Sequence, residues 1–414
     1  MGFQVQEGYL TCEHVKVKDM QNRISESPFY LYSLKQITDN YCAYTTALKG
    51  IPSIVAYAFK ANNNLTILKH LQKLGSGAVL VSGNELKLAQ TAGFDSHRTV
   101  FNGNGKTNDE LNLAVQNGVM VNIDSEFDLQ HIRHAAETVG KPVDVLIRIN
   151  PDIDAEVHPY LSTALRDSKF GIRNNHLNYF LKKIRSSDLL NLVGVHCHLG
   201  TTIKKIDVFR DAALFMIKVI EIIRNEGFDI RYLNLGGGLG IDYERTESVP
   251  SQFDLINSIR DLITDDIFLI IEPGRSIVGN AGILVTKVIG VKTSEKKNFI
   301  VVDGSMTELI RPALYGAYHH VDFIEPVDGK VKTYDVVGPV CESTDFLAKD
   351  RSLPTPHEGA GLVVYDAGAY GYAMSSNYNV RMRPPEYLID GERVIRIRRA
   401  ETFEDFMRLF EIED

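Results

Sequence analysis

One lysine follows an apolar stretch near the start of the chain, in a position where it could do chemistry. Residues 54–59 are Ile-Val-Ala-Tyr-Ala-Phe, a composition typical of a buried strand, and Lys60 comes next. A lysine in this place often marks only the point where a strand reaches solvent. At the edge of an apolar site, however, it can serve as an amine nucleophile that forms a Schiff base with a carbonyl compound. The apolar stretch alone does not decide between these interpretations.

Two histidines and a glutamate form a second group of candidates. His196 and His198 are two positions apart, so in a strand their side chains would share one face. Glu272 ends an apolar stretch, and a buried carboxylate needs a partner, either Arg275 on the next turn or a protonated ring nitrogen. The histidines and Glu272 could bind zinc, the histidines could be hydrogen-bonded core residues, or one ring could stack on a flat cofactor.

A glycine run indicates a third kind of site. Residues 236–240 are Gly-Gly-Gly-Leu-Gly, and Gly274 follows a later apolar stretch. Glycine lets backbone amides approach an anion closely, although the same run could simply be a tight turn. Barrel enzymes often bind phosphate in the loops after their last two strands, and the hydroxyl of Thr201 could add a donor. The pattern therefore favours phosphate binding.

Short apolar stretches that alternate with helical patterns would position these groups. The stretches lie at residues 54–60, 77–82, 99–104, 120–124, 143–150, 192–199, 232–235 and 268–272. Eight strands alternating with helices are typical of a (β/α)8 barrel of about 250 residues. A helix predicted at 35–49 could close the ring, and Ser82 and Ser125 are typical first residues of two helices. An open doubly wound sheet would require a glycine-rich fingerprint after the first strand, and residues 60–65 contain none.

The pattern changes after residue 274. Stretches rich in β-branched residues, separated by Gly, Pro, Asp and Ser, lie at 283–291, 298–302, 333–337 and 361–366. No long helix is predicted before 402–412. We therefore expect an α/β plus all-β chain. A TIM-like barrel would span residues 35–282, and a β-sandwich or β-barrel domain of residues 1–34 and 283–414 would complete the substrate site.

Composition narrows the function classes. The formal net charge is −8 with no long basic cluster, which argues against nucleic acid as the main partner. No apolar stretch approaches the ~20 residues of a membrane-spanning helix. The four cysteines show no paired spacing, and the N-terminal residues do not resemble a signal peptide or an Arg-rich transit peptide. We expect a reducing compartment: the cytoplasm, or an organelle stroma if a transit peptide has been removed.

The candidate groups fit one chemistry when they are taken together. An amine, a phosphate-binding loop, a stacking imidazole and a carboxylate for a ring nitrogen are the components of a pyridoxal phosphate site. Lys60 would form the Schiff base, and Glu272 would keep the pyridine ring charged. A zinc site would leave Lys60 and the glycine loops without a function.

The motifs also resemble a known family. The alanine-racemase-like, fold type III pyridoxal phosphate decarboxylases, which include ornithine, arginine and diaminopimelate decarboxylases, carry stretches similar to YAFKAN at 57–62, HCHLGT at 196–201, GGGLG at 236–240 and EPGR at 272–275. The diaminopimelate-specific branch carries stretches similar to ELIRPALY at 308–315, GPVCES at 338–343 and DAGAY at 366–370. The resemblance covers nearly the whole chain, in order.

The resemblance implies roles for individual residues. Lys60 would hold the cofactor covalently, His198 would stack on its ring, and Glu272 would bind its ring nitrogen. The remaining cofactor contacts would come from Thr201, Gly238, Gly274, Arg275 and Tyr370. The substrate-binding residues would be Arg275, Arg311, Tyr315, Glu342 and Tyr370. Cys341 would donate a proton after carbon dioxide leaves, so the catalytic set is Lys60, His198 and Cys341, with no metal.

The implied reaction is the pyridoxal phosphate-dependent decarboxylation of meso-2,6-diaminopimelate to L-lysine, the last step of lysine biosynthesis. This substrate has an amino-acid group at each end. Recognition of the end that does not react requires cations for a carboxylate and an anion for an ammonium, which Arg275, Arg311 and Glu342 provide. In this family Cys341 and Glu342 reach the partner subunit's site, which implies a head-to-tail homodimer with shared active sites.

Three alternatives remain at this point. The chain could be an ornithine- or arginine-type decarboxylase of the same fold, a metal-dependent barrel hydrolase, or a non-catalytic decarboxylase-like binding protein. A binding protein would be expected to have lost Lys60 or Cys341, and both are present. Thr201 stands where relatives usually have serine, but it keeps the hydroxyl.

Overall fold

The computed structural model describes residues 2–155 and 168–411. Its strands, in chain order, are β1 (Phe3–Gln6), β2 (Tyr9–Cys12), β3 (Val15–Lys16), β4 (Phe29–Ser33), β5 (Ser53–Ala58), β6 (Gly77–Leu80), β7 (Thr99–Phe101), β8 (Met120–Ile123), β9 (Val143–Arg148), β10 (Leu190–His196), β11 (Tyr232–Asn234), β12 (Phe268–Ile271), β13 (Gly282–Thr293), β14 (Asn298–Val302), β15 (Val321–Phe323), β16 (Val331–Val337), β17 (Phe346–Pro354), β18 (Gly361–Val364), β19 (Glu386–Asp390) and β20 (Arg393–Arg398). Its helices are α1 (Val17–Arg23), α2 (Leu34–Ala47), α3 (Leu65–Lys73), α4 (Gly83–Ala92), α5 (Asn108–Asn117), α6 (Glu126–Val139), α7 (Leu177–Arg185), α8 (Asp207–Asn225), α9 (Gln252–Ile259), α10 (Arg275–Val278), α11 (Arg311–Tyr315) and α12 (Phe403–Met407).

The chain divides into two units by its internal contacts. We call the first the sheet unit; it consists of Met1–Asn40, Asp242–Glu247 and Ile277–Asp414. We call the second the barrel unit; it consists of Tyr41–Ile241 and Ser248–Ser276. The short segment Asp242–Glu247 follows β11 along the chain but belongs to the sheet unit.

Eight parallel strands close the barrel. Strands β5 to β12 each pair with the next one along the chain, and β12 pairs with β5. Ile54, Ala56 and Ala58 alternate along β5 and belong to one buried cluster, because residues two apart in a strand share a face. Val100 and Leu146, from strands β7 and β9, join this cluster. The predicted eight-stranded α/β barrel is confirmed.

Local sequence signals explain where barrel helices begin and end. The Ser82 hydroxyl accepts a hydrogen bond from the Glu85 amide at 3.2 Å, and the Ser125 hydroxyl accepts one from the Asp128 amide at 3.3 Å. Both residues were predicted as helix starts, and both satisfy an amide that the helix leaves unpaired. Helix α4 then ends at Gly93, whose φ of +84° suits glycine.

The sheet unit is mostly antiparallel. Its large sheet has the order β17-β16-β14-β13-β4-β19-β20, and β18 pairs with both β13 and β15. Only the pairs β14–β16 and β4–β19 are parallel in this sheet. Strands β1, β2 and β3 form a small separate sheet. The all-β second domain that the sequence predicted is confirmed as a fold class.

Several sheet-unit elements were missed or misjudged in the sequence. Strands β19 and β20 form a hairpin through Gly391, which has a φ of +65°, and its Asp390-Gly391 pair is a typical turn signal that should have revealed them. Helix α12 covers Phe403–Met407, whereas the sequence predicted 402–412, of which residue 412 lies outside the described residues. Leu409 and Phe410 are 86% and 53% exposed, so no packed apolar face supports a longer helix. Among the described residues, no helix is long and apolar enough to cross a membrane.

Candidate active site

Lys60 lies on a turn rather than at the end of a strand. Strand β5 ends at Ala58, and a single 3₁₀ turn covers Phe59–Ala61. The fully buried Phe59 packs edge-on against Phe94 at 5.1 Å between ring centroids, which draws the chain out of the sheet. The prediction that Lys60 ends the strand is therefore wrong by two residues. The turn leaves Lys60 exposed beside a cavity at the barrel mouth.

The cavity has a volume of about 370 Å³ and is lined entirely by residues of the barrel unit. The lining residues with polar or charged side chains are Lys60, Asn102, Asn104, Arg148, His196, His198 and Glu272. They follow or end different barrel strands, whose carboxyl ends meet at one face of a (β/α)8 barrel. The structure thus brings together three of the predicted site residues: Lys60, His198 and Glu272.

Glu272 is a buried carboxylate surrounded by hydrogen-bond donors. The Asn234 side-chain amide donates to Oε1 at 2.7 Å, and the Asn102 amide donates to Oε1 at 3.0 Å and to Oε2 at 3.2 Å. Burial alone would raise the pKa of Glu272. The rings of His196 and His198 and the Asn234 amide outweigh that effect and hold its pKa well below 4.5. The carboxylate is therefore charged at neutral pH.

Arg275, which we considered as the partner of Glu272, has a different partner. Its Nε and Nη2 both donate to the Thr201 hydroxyl oxygen at 3.2 Å. Glu272 is instead bonded to Asn102 and Asn234 and lies 3.6 Å from Nε2 of His196. The sequence left two partners open for Glu272, Arg275 or a protonated ring nitrogen, and the first of these is therefore wrong. The reason is that α10 starts at Arg275 and carries the guanidinium toward the loop after β10.

The two histidines lie in different environments. Strand β10 ends at His196, so His198 lies beyond the strand and the two rings do not share a strand face. His196 is 1% exposed, and its Nδ1 lies 2.7 Å from the Asn122 side-chain amide nitrogen, which also donates to Asn102. The amide can only donate, so Nδ1 accepts and the proton sits on Nε2, the nitrogen nearest Glu272. His196 therefore belongs to the hydrogen-bond network around Glu272.

His198 lies against the glycine run. Its Nδ1 accepts a hydrogen bond from the Gly237 amide at 3.2 Å. Burial, together with the charges of Lys60 and Arg148, lowers the pKa of His198 well below 6.5. A neutral imidazole at the cavity wall suits stacking on a flat ring. Among the described residues, no group of three or more His, Cys, Asp or Glu side chains is placed to hold a metal ion.

The glycine run packs so closely that no side chain would fit. A Cβ on Gly237 would lie 2.1 Å from the backbone oxygen of Glu272, and one on Gly238 would lie 2.5 Å from the backbone oxygen of Gly200. Gly238 also has a φ of +111°, which is unfavourable for other residues. A Cβ on Gly274 would lie 2.9 Å from Cβ of Ala61. Glycine is therefore required at these positions of the loops after β11 and β12, and glycine-rich loops of this kind can bring backbone amides close to a phosphate group.

A buried ion pair holds one wall of the cavity. The Lys106 ammonium donates to Asp128 at 2.8 Å and to the backbone oxygen of Gly103 at 2.5 Å. Its side chain is 1% exposed, and that of Asp128 is fully buried. Because Asn102 and Gly103 line the cavity in the same loop, this ion pair fixes the segment that presents the Asn102 amide to Glu272.

The sheet unit carries the remaining predicted residues. Arg311 opens α11 and is 3% exposed, Tyr315 ends the same helix, and Tyr370 has a φ of +56°. Cys341 and Glu342 lie together on an exposed loop after β16. The Cys341 amide donates to the Asn379 side chain at 2.9 Å, and the Glu342 carboxylate accepts from the Thr344 amide at 3.3 Å.

Sequence reasoning missed the polar residues that surround the predicted ones. Asn102 follows β7, Asn122 lies in β8 and Asn234 ends β11, so their positions on barrel strands could have marked them. Arg148, which ends β9 and donates to Asp124 at 3.2 Å, could have been found by the same rule. His319 was also missed: its Nε2 lies 2.8 Å from Nη1 of Arg311, and nothing local in the sequence indicates that contact.

Comparison with known proteins gives a consistent result. Residues 34–279 match the family model described as pyridoxal-dependent decarboxylase, pyridoxal binding domain. A probable diaminopimelate decarboxylase, chloroplastic, from Oryza sativa is 57% identical over 410 residues, with 98% of this chain and 84% of that protein covered. The diaminopimelate decarboxylase of Pseudomonas aeruginosa is 42% identical, with 97% of each chain covered. The crystal structure of diaminopimelate decarboxylase from M. jannaschii in complex with L-lysine superposes with a TM-score of 0.94 at 34% identity, covering 99% of this chain and 98% of that one.

Proposed function

Because this chain belongs to the pyridoxal-dependent decarboxylases, and among them to the diaminopimelate decarboxylases, we propose that the residues identified above carry out its reaction. The reaction is the pyridoxal phosphate-dependent decarboxylation of meso-2,6-diaminopimelate to L-lysine, the last step of lysine biosynthesis. The observation that supports the residue assignment most strongly is the ionised Glu272, held by Asn102 and Asn234 in the cavity beside Lys60.

The residues of the barrel unit fit the cofactor. Glu272 would accept a hydrogen bond from the protonated ring nitrogen, and the neutral ring of His198 would stack on the pyridine. Backbone amides around Gly238 and Gly274, with Thr201 and Arg275, would hold the phosphate. When bound, pyridoxal phosphate supplies the electron sink that stabilises the charge left at the carbon from which carbon dioxide departs.

Lys60 would act as the covalent anchor and as a positioned amine. An exposed amine on a short turn can reach into the cavity without moving the strand behind it. The turn is held rigid, since the Tyr57 hydroxyl donates to the backbone oxygen of Asn62 at 2.9 Å. An amine that is fixed relative to Glu272 would be held next to the bound cofactor. Its reaction would then be effectively unimolecular, which can accelerate a step strongly.

The residues of the sheet unit suit the two ends of the substrate. Arg311 and Tyr315, on one short helix, would bind the carboxylate of the end that does not react, with Arg275 from the barrel unit. Glu342 would accept the ammonium of that end, and Tyr370 would contact cofactor and substrate. Arginine pairs with a carboxylate through two parallel hydrogen bonds, which would select a substrate with a second carboxylate over a plain diamine.

Cys341 would deliver a proton after carbon dioxide leaves, and it would do so in the partner subunit's site. Cys341 and Glu342 are exposed on one loop, which leaves them available to a second copy of the chain. A head-to-tail homodimer would then complete two identical sites. Light scattering of the purified protein is expected to give twice the chain mass of 46.3 kDa. A mass of 46.3 kDa with full activity would contradict the shared site.

The state of the cysteines bears on the compartment in which the protein works. The described cysteines Cys12, Cys42, Cys197 and Cys341 are free thiols, which suits a reducing compartment. We place the protein in the cytoplasm or in an organelle stroma, and the chloroplastic relative supports the second option. Fractionation of the source cells with a chain-specific antibody tests this; recovery in a secreted fraction would contradict it.

The substrate assignment is tested by measuring products. Protein saturated with pyridoxal phosphate is expected to release one carbon dioxide per L-lysine formed from meso-diaminopimelate. Ornithine and arginine, offered at the same concentration, should react at least about 100-fold more slowly, because neither offers Arg311 a second carboxylate. A preference for either amino acid would overturn the substrate assignment while leaving the cofactor site intact.

A further inference from the structure

Two residues of the sheet unit engage the same nitrogen of Arg311. Its Nη1 lies 2.9 Å from the Tyr243 hydroxyl and 2.8 Å from Nε2 of His319. A guanidinium nitrogen of this kind has two hydrogens, and arginine only donates hydrogen bonds. Both Nη1 hydrogens are therefore used by neighbouring side chains of the chain itself.

The hydrogen-bond pattern fixes the state of His319. Because Arg311 donates, Nε2 of His319 must accept. Nδ1 lies 2.8 Å from the backbone oxygen of Tyr365, which can only accept, so Nδ1 carries the proton. His319 is fully buried and is thus a neutral imidazole in one tautomer. A doubly protonated ring would lose the bond to Arg311 and would place two cations together.

The local fold produces this arrangement. Helix α11 is only five residues long and ends at Gly316, whose φ of +60° reverses the chain. The Ala317 amide donates to the backbone oxygen of Arg311 at 3.3 Å, so the chain returns past the start of the helix and brings His319 to Arg311.

Tyr243 completes the arrangement from a separate segment. It lies in Asp242–Glu247, the short segment that follows β11 and belongs to the sheet unit. Its ring packs edge-on against His319 at 5.2 Å and lies 4.8 Å from Cζ of Arg311. Arg311 is therefore held by one polar contact and one ring contact from Tyr243, and by one polar contact from His319.

We propose that His319 and Tyr243 are positioning residues that fix the plane of the Arg311 guanidinium for the substrate carboxylate that does not react. This inference rests on the proposed role of Arg311 in substrate binding. Bidentate pairing of arginine with a carboxylate depends on the orientation of the guanidinium plane, and a buried arginine held through Nη1 keeps its other donors in a constant direction. The two residues thus contribute to specificity without touching the reacting carbon.

A matched pair of substitutions at His319 tests this. In His319→Gln the amide oxygen can occupy the place of Nε2 and still accept from Arg311, whereas in His319→Asn the amide occupies the place of Nδ1 and leaves Arg311 without this acceptor. The KM for meso-diaminopimelate is expected to rise about tenfold in His319→Asn with kcat within about twofold of native, and to stay near native in His319→Gln. Equal effects of the two substitutions, or a loss confined to kcat, would overturn the proposal.

A binding measurement separates this role from a general structural one. L-Lysine keeps the carboxylate in question, whereas 1,5-diaminopentane has none. Calorimetry with the cofactor-loaded protein should show that His319→Asn and Tyr243→Phe weaken L-lysine binding about tenfold and leave 1,5-diaminopentane binding unchanged. Tyr243→Phe keeps the ring and removes only the hydroxyl, so it serves as the test if His319→Asn does not fold. Equal weakening of both ligands would contradict the proposal.

The variant Arg311→Met separates the proposed role of Arg311 in substrate binding from the proposed positioning role of His319 and Tyr243. If this variant binds L-lysine as tightly as the native protein, the assignment of Arg311 fails and the present inference fails with it. If Arg311→Met binds L-lysine weakly but His319→Asn and Tyr243→Phe bind it normally, only the positioning role is refuted.

Discussion

Replacement of Lys60 by alanine is expected to lower the turnover of meso-diaminopimelate by at least about 10⁴-fold. The substitution removes the amine that would anchor the cofactor, and no described neighbour on the Phe59–Ala61 turn can replace it. The fold should survive, because Lys60 is exposed and substitutions at exposed positions usually change stability little.

The absorbance of the covalently bound cofactor should be lost together with turnover. Lys69→Ala is the matched control, since Lys69 is an exposed lysine of α3 and should behave as native. A Lys60→Ala variant that retains the covalent cofactor absorbance would show that the anchor has been assigned to the wrong residue.

Replacement of Cys341 by alanine is expected to lower kcat by about 10²–10⁴-fold, the usual contribution of a positioned general acid. Cofactor absorbance should be unchanged, because Cys341 lies on an exposed loop and is not among the residues proposed to hold the cofactor. Cys42→Ala is the control, since Cys42 is also an exposed free thiol. A Cys341→Ala enzyme with native kcat would remove Cys341 from the mechanism.

Mixed dimers test whether Cys341 acts in the partner subunit's site. Lys60→Ala and Cys341→Ala chains can be co-expressed with different tags, and the mixed dimers can be purified. One of the two sites in such a dimer receives an intact Lys60 and an intact Cys341 from different chains, so about half of the native activity is expected. If each chain used its own cysteine, both sites would be defective and the mixed dimers would be as inactive as their parents.

The sequence alone was sufficient to predict the barrel and to select candidate site residues that lie on one cavity. Apolar stretches such as 54–60 and 268–272 recur with strand lengths and alternate with helical patterns, and this periodicity depends only on local residues. Lys60, His198 and Glu272 were identified because strand ends meet at one face of a barrel, and the structure places all three on one cavity.

The hydrogen-bond partners of those residues could not be predicted from the local sequence. Glu272 accepts hydrogen bonds from Asn102, which follows β7, and from Asn234, which ends β11. Arg275, one of the two partners that the sequence left open, donates to Thr201 instead. Which of several polar neighbours satisfies a buried carboxylate depends on strand register and side-chain direction, and a single sequence contains neither explicitly.

The contacts around Arg311 could not be predicted from local sequence either. His319 is only eight residues away, but its contact with Arg311 exists because α11 stops after five residues and Gly316 reverses the chain. The displacement of Lys60 from β5 also depends on packing, because Phe59 packs on Phe94. Short turns of this kind depend on packing against distant residues, whereas periodicity does not.

The most direct test of the account is to locate the lysine that carries the cofactor. Reduction of the native protein with borohydride fixes the cofactor to its lysine, and peptide mapping by mass spectrometry then identifies the residue. We expect the label on Lys60 at one per chain. A label on another lysine, such as Lys106, which is buried in its ion pair with Asp128 and contacts the backbone of Gly103, would contradict the account. So would the absence of any label on protein that is active with meso-diaminopimelate.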